Sequence, residues 1–360
     1  MEDLVARWAG TAFQQEAAAW ADEVLGRRGL VRSGPLVPEK IRFWSAVFAV
    51  PLARGCAWFK VGNPGQAFEG RLLRTLGQVV PDRVLAPWAV DEDRGWWLLP
   101  DGGPTLDGSR PTDWVDLVGD VADLQRACAA HQDRLDMVPA LPAEEAAGWV
   151  EGTVDRLTRL PAADRQHLDP ARARSLVGKG PRGHDGLRRF GKRMEILAGT
   201  GLPATLQPND AHPRNAVGPS TPGGPARVFD LGDAVRSHPW AVLHTTVRLA
   251  ARVPLTDTWP DTPLTRRIVD AYLERWPGVD LGGRPGTGLA GTGGRPGTGG
   301  RPGTGGRPGT GNLPEVLAAA DRLGAVHRAA SWLRLLAPVD PDRLAVPTPR
   351  VADWLELALR

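Results

Sequence analysis

LQPNDAHPRNAV, from Leu206 to Val217, sets an Asp, a His, an Arg and two Asn between apolar flanks. Asp, Asn and Pro are common turn formers, so alone this stretch reads as a polar loop or as a reactive one. Twenty residues past Asp210 comes Asp230, ending the β-like ARVF and preceding Leu231, Gly232 and Asp233. DLGD alone is likewise a plausible strand-ending turn. In order, each beside a short β-like piece, the two have a joint use in phosphoryl transfer, which is mostly positioning and charge neutralisation. One carboxylate must take the proton of an acceptor hydroxyl; a second carboxylate and an amide oxygen must hold Mg²⁺, a hard cation that prefers oxygen ligands. Asp210 then serves as the base, and Asn215 and Asp230 as metal ligands. Gly232 would let the backbone turn tightly as the metal-bearing loop leaves its strand.

Before these loops the pattern is strands with one helix. Leu4 to Arg28 carries Ala, Trp, Phe and Leu at helical spacing and predicts one amphipathic helix. IRFWSAVFAVPL and GCAWFKVG, divided by Ala53, Arg54 and Gly55, predict paired antiparallel strands. QAFEGRLLRTLGQ predicts a helix with a Phe68, Leu72, Leu73, Leu76 stripe, and RVLAPWAV and RGWWLLP two more strands. Trp96 and Trp97 alternate in one strand, so they face opposite sides. Helical patterns then dominate, at Asp113–Leu135, Ala143–Leu160, Gly186–Ala198, Trp240–Val253, Leu264–Trp276, Leu313–Leu336 and Val351–Leu359, with β-like ATLQ and ARVFD between. Strands followed by helices predict an α+β, two-lobed chain. Its expected divisions are an N-terminal helix (1–30), a sheet-plus-helix lobe that binds nucleotide (31–103) and a helical lobe with the catalytic and metal loops (104–360). Residues 282–311 largely repeat GGRPGT and read as a flexible, weakly basic insertion, with a tether for an anionic partner as the alternative.

Composition narrows the rest. Forty-four Lys and Arg against 41 Asp and Glu, interspersed, leave no footprint for nucleic acid. Two cysteines, Cys56 and Cys128, have no metal-type spacing and suit a reducing, cytoplasmic compartment. No apolar run approaches the ~20 residues of a membrane span, and the first residues do not read as a signal peptide.

LQPNDAHPRNAV followed by RVFDLGDAVRSHPWAVL resembles the active-site core of the aminoglycoside phosphotransferase and choline kinase-like family, small-molecule kinases with a protein-kinase-like fold. The resemblance implies ATP and Mg²⁺, an alcohol acceptor such as an aminoglycoside, sugar or amino alcohol, Asp210 as base with His212 beside it, and Asn215 and Asp230 on magnesium. It extends more softly to Lys60, ending GCAWFK, and to Glu69 on the next helix, which would neutralise phosphate charge and hold that Lys in place. Leu99 and Asp101, in RGWWLLPDGG, fall at the implied hinge, where backbone groups would meet adenine. Asp257, Asp261 and Asp270 are loosely suggestive of an acidic acceptor pocket.

Departures are visible. Pro208 stands where the family usually has a loop-supporting His, and Arg214 where glycine is usual. Pro100 has no N–H to donate at the hinge, and no glycine-rich phosphate loop precedes Lys60. These leave a second reading open, a weak or inactive kinase-like binding protein; a metal-dependent hydrolase using the same acids is a third. His238 and His244 read as structural, and most of the 14 Trp as core.

Overall fold

The computed structural model describes residues 3–178, 185–255, 259–277, 279, 312–340, 344 and 348–360. The GGRPGT repeat and Asp257 lie outside them. The chain starts with two helices where one is expected: α1 (Leu4–Ala9) and α2 (Thr11–Gly26) part at Gly10, whose extended backbone (φ −72°, ψ 144°) interrupts the helix. Five antiparallel strands follow, β1 (Val37–Arg42), β2 (Ser45–Pro51), β3 (Cys56–Gly62), β4 (Ala89–Asp91) and β5 (Trp96–Pro100), in the order β1-β2-β3-β5-β4. IRFWSAVFAVPL is not one strand: it reverses at Phe43 and Trp44, where Arg42 faces Ser45 across β1 and β2.

Helices cover both faces of this sheet. On one, Phe13 and Trp20 of α2 meet Trp96 and Phe59 edge-on, at 5.6 and 5.8 Å between ring centres. On the other, α3 (Phe68–Val79) buries Leu72, Leu73 and Leu76 in the cluster that contains Trp97. The tryptophan pair therefore divides between faces as its alternation requires. Full burial of a side chain this size contributes about 1.5–3 kcal/mol, so aromatic packing carries much of this lobe.

The rest is mainly helical: α4 (Pro111–Ala129), α5 (Ala143–Thr158), α6 (Pro170–Leu176), α7 (Gly186–Gly199), α8 (Leu243–Ala251), α9 (Pro263–Glu274), α10 (Leu313–Leu336) and α11 (Val351–Leu359). Two small ladders interrupt it. β6 (Thr205–Gln207) pairs with β9 (Val235–Ser237), and β7 (Ala216–Val217) with β8 (Arg227–Val228). The chain is thus α+β and two-lobed, as its pattern predicts. Among the described residues no helix is long and apolar enough to cross a membrane.

α10 joins the two parts. It opens on a reciprocal cap between Asn312 and Glu315 and packs its middle against α8, where a Cβ on Gly324 would lie 2.2 Å from His244 Cβ. Asp321 there is buried with Arg248 at 2.6 Å and His244 at 2.8 Å, a charge paired inside the core. Its last turn leaves the helical cluster and buries Leu335 and Leu336 among the aromatic residues of the sheet lobe. Asn63 fastens that junction, donating from Nδ2 to Phe43 O and to Leu335 O, each at 3.0 Å.

Candidate active site

A cleft of about 650 Å³ opens between the sheet and the helical part. Lys60, Asp210, His212, Asn215, Asp230 and Leu99 all line it. β3 presents Lys60 on the face away from Phe59, so its Nζ meets the first turn of α3. There it donates to both oxygens of Glu69, at 2.9 and 3.0 Å, and to Asp230 Oδ1 at 2.6 Å. Lys60 is 6% exposed and Glu69 1% exposed, which makes this a buried charge pair. Burial works to lower the Lys60 pKa, but the charges of Asp230 and Glu69 outweigh it and hold the ammonium above its ordinary value. Burial raises the Glu69 carboxyl, opposed by Lys60 and by the N–H of Leu231.

The two loops reach the cleft in unusual backbone states. Asn209 and Asp230 both have positive φ, 67° and 59°. Non-glycine residues adopt that region infrequently, Asn and Asp more readily than most. Gly232 and Asp233 form the centre of a turn closed by Ala234 N donating to Leu231 O at 3.0 Å, as expected, although Gly232 itself has no positive φ. It also serves close approach, because a Cβ there would lie 2.9 Å from the Gln66 side chain and 3.0 Å from Glu69 Oε2.

Asp210 faces the cleft with His212 Nε2 at 3.7 Å, near enough for charge interaction and too long for a good hydrogen bond. Burial works to raise the Asp210 carboxyl; His212, Arg328 and Lys40 outweigh it and keep it below the ordinary range. Asn215 donates Nδ2 to the Asp210 carbonyl at 3.0 Å, which ties the short turn Pro213–Asn215 back onto the loop and leaves Oδ1 for a cation. Asp230 keeps one oxygen beyond the one Lys60 engages, and its side chain is 44% exposed. Together they offer hard oxygen donors that fit Mg²⁺, an ion ordinarily held by one or two carboxylates plus phosphate and water oxygens. Among the described residues no three His, Cys, Asp or Glu side chains converge as a metal cluster.

Other expectations separate. Asp101 is not among the residues that line the cleft, although Leu99 and Gly102 on either side are; its side chain accepts from Gly103 N at 3.0 Å and faces Cys56. Asp261 and Asp270 do not line it either, and Asp261 pairs with Arg266 at 2.6 Å. His238 and His244 are buried and structural.

Three groups escape a reading of the motifs. Asp233 accepts from Gln66 at 2.6 Å, from Arg328 at 2.8 Å and from Ser331. Gln66 precedes α3, and Arg328 and Ser331 lie on α10. Behind Pro208 the loop is braced from the core: Gln207 accepts the Asn209 N–H and contacts His327 at 3.0 Å, and the other ring nitrogen of His327 meets Ser237 Oγ at 2.9 Å. Gln207, Ser237 and His327 are all fully buried. The family's supporting imidazole is thus absent at Pro208, and an imidazole from α10 reaches the same loop. DLGD flags Asp233 weakly; Arg328 and His327 carry no sequence signal, being about a hundred residues away.

No protein-family model matches the chain, and no curated protein sequence matches it. Solved structures match along most of its length. The Plasmodium vivax ethanolamine kinase is 9% identical, with 90% of this chain and 80% of that one covered and a TM-score of 0.54. The choline kinase of Streptococcus pneumoniae is 11% identical, covering 87% and 89%, at 0.51. A type I macrolide 2'-phosphotransferase is 13% identical, covering 94% and 99%, at 0.50. The fold is the one shared by these ethanolamine, choline and macrolide phosphotransferases. At such identities the likeness establishes the fold, and the chemistry has to be argued from the cleft.

Proposed function

We propose that this chain is an ATP-dependent small-molecule kinase that transfers the γ-phosphoryl group to an alcohol. The observation that carries the reading is the buried ion pair of Lys60 and Glu69, set on the same cleft as Asp210, Asn215 and Asp230. In this reading residues 31–103 bind the nucleotide and 104–360 carry the catalytic and metal loops. Val47, Leu85, Leu99, Val217 and Phe229 supply apolar walls for a purine. Magnesium, held by Asp230 and Asn215, would neutralise phosphate charge. Lys60, kept protonated and fixed by Glu69, meets the α- and β-phosphates. Asp210 orients the acceptor hydroxyl and takes its proton as the oxygen bonds to phosphorus and the bond to the β-phosphate oxygen breaks, releasing ADP. His212, two residues on, sits where a phosphate-facing donor belongs. A cytoplasmic enzyme accords with this nucleotide chemistry.

The kinship of the fold to phosphotransferases supports the reading; the side chains make it specific. A thermal-shift titration with ATP and Mg²⁺ tests the first step, because a ligand at a hundred times its Kd stabilises by about 2.7 kcal/mol. No shift with or without Mg²⁺ would sink the proposal. Asp210→Asn should keep the nucleotide shift and lower turnover by about 10²–10⁴. The alternative, a kinase-like protein that binds without catalysis, is favoured by one observation, the capture of Asp230 by Lys60; nucleotide binding with no transfer to any alcohol would establish it.

A further inference from the structure

We infer that Arg328 reads the acceptor, and that the acceptor is an alcohol bearing a carboxylate or similar oxyanion rather than a polycation. This rests on the kinase reading and adds a charge class to it.

Arg328 reaches the cleft from α10, 8% exposed, with its charge felt at Asp210. A guanidinium carries five N–H donors in a planar fork. Nη1 donates to Asp233 Oδ2 at 2.8 Å, while Nε is buried with no hydrogen-bond partner. Asp233 cannot turn to satisfy it, since Gln66 and Ser331 hold its other oxygen. It works instead as a clamp on Nη1, fixing one end of the guanidinium while other donors of the fork remain for a second anion. Carboxylates and phosphates match that fork in two-point contacts.

The remaining charges agree. Four acids line the cleft, Glu39, Asp210, Asp230 and Asp233. Asp210 is the reacting base, Asp230 lies on Lys60, and Asp233 is held as described, so Glu39 alone is left for an ammonium. Against it stand Lys40 and Arg214 on the same cleft, together with the donors of Arg328 that Asp233 does not engage. Lys40 is exposed, its ammonium 5.6 Å from the centre of the Trp44 ring. A polycation would set its ammonium groups against these three; an oxyanion beside the reacting hydroxyl meets Arg328 from the side Asp233 does not occupy. Trp44 and Trp332 supply apolar walls for the acceptor's carbon skeleton.

Gluconate, sorbitol and glucamine test this, being matched polyols that end in a carboxylate, an alcohol and an ammonium. Phosphoryl transfer is read as ADP release above the acceptor-free rate, and binding as the thermal shift each polyol adds to the protein with ADP and Mg²⁺. Gluconate should exceed glucamine in kcat/KM by about tenfold or more, a single charge-assisted contact's worth, mostly through KM. Arg328→Gln should bring the ratio towards one by raising the KM for gluconate, and Arg328→Lys, which keeps the charge but loses the fork, should recover only part of it. A retained ADP–Mg²⁺ shift shows that either variant is folded. Preference for glucamine would overturn the inference. So would an equal drop in kcat for all three acceptors with KM unchanged, which would put Arg328 on the phosphoryl group. If none of the three is phosphorylated, gluconate must still add more thermal shift than glucamine, and failure to do so overturns it as well. Failure of the kinase reading looks different, with no shift from ATP or ADP in the first place.

Discussion

Lys60→Met should destabilise the protein by about 3–5 kcal/mol at pH 7, and its pH dependence should show why. Methionine keeps most of the length of the side chain and removes the ammonium from between Glu69 and Asp230. Asp230, with a side chain 44% exposed, returns to water at little cost. Glu69, 1% exposed, cannot. It has two ways out. Remaining charged without its partner costs about 3–5 kcal/mol, as for other broken buried pairs. Taking up a proton costs about 1.4 kcal/mol for each pH unit above the ordinary value of about 4.3, a cost the parent shares to the extent that burial already raises its Glu69. The first route sets the size of the loss, and protonation predicts the slope. A carboxyl whose folded pKa is raised contributes stability that is complete below about pH 4.3 and lost as pH rises through the folded value. Burial already raises the parent's Glu69 to about 7, so urea unfolding should show the variant's deficit growing by about 1.4 kcal/mol per pH unit above that value, towards the higher folded value of the unpaired carboxyl. Adding Glu69→Gln to Lys60→Met should remove the slope and restore part of the stability. A single variant within about 1 kcal/mol of the parent at pH 7, or a double variant no better than the single one, would refute the argument.

Other outcomes follow from the same geometry. His238 and His327, buried and pushed down to about 3, stay neutral in the fold. Their stabilisation is complete above about pH 6.5 and lost as pH falls towards 3, at about 1.4 kcal/mol per unit each. His327→Gln should flatten the stability–pH curve between pH 6.5 and 5 by one such increment, and an unchanged curve would mean that His327 is charged. Gly65→Ala places a Cβ 2.2 Å from Arg334 O on α10. It should cost about 1–3 kcal/mol in denaturant unfolding, as overpacking does, and a neutral result would show that the junction yields.

How far the molecule was legible in its sequence depends on whether the physics was local. α10 and α11 occur where their periodicity predicts them, Leu313–Leu336 and Val351–Leu359, because capping and apolar spacing are properties of neighbouring residues. Lys60 and Glu69 are nine residues apart on adjoining elements, and their contact follows once the strand and helix are placed. The reversal at Phe43 and Trp44 was hidden because both turn residues are aromatic, one buried and one lining the cleft, with none of the Asn–Gly chemistry that marks hairpins. Arg328 and His327 were hidden for a deeper reason. Inside a long helix pattern they read as one more charged residue and one more imidazole. Only the path of α10 past the loops, 95 residues beyond Asp233 in the chain, gives them partners.

That path has a consequence for the order in which the molecule comes into being. A chain leaving the ribosome presents Lys60, Asp210, Asn215 and Asp230 well before α10 is made, and the Gly-rich repeat is translated in the interval. Until the helix arrives, Asp233 lacks its arginine, Gln207 its imidazole, and Asn63 the Leu335 carbonyl. The nascent cleft thus holds its reacting groups before it has the parts that close and brace it. Synthesis of α10 is the step that completes the site.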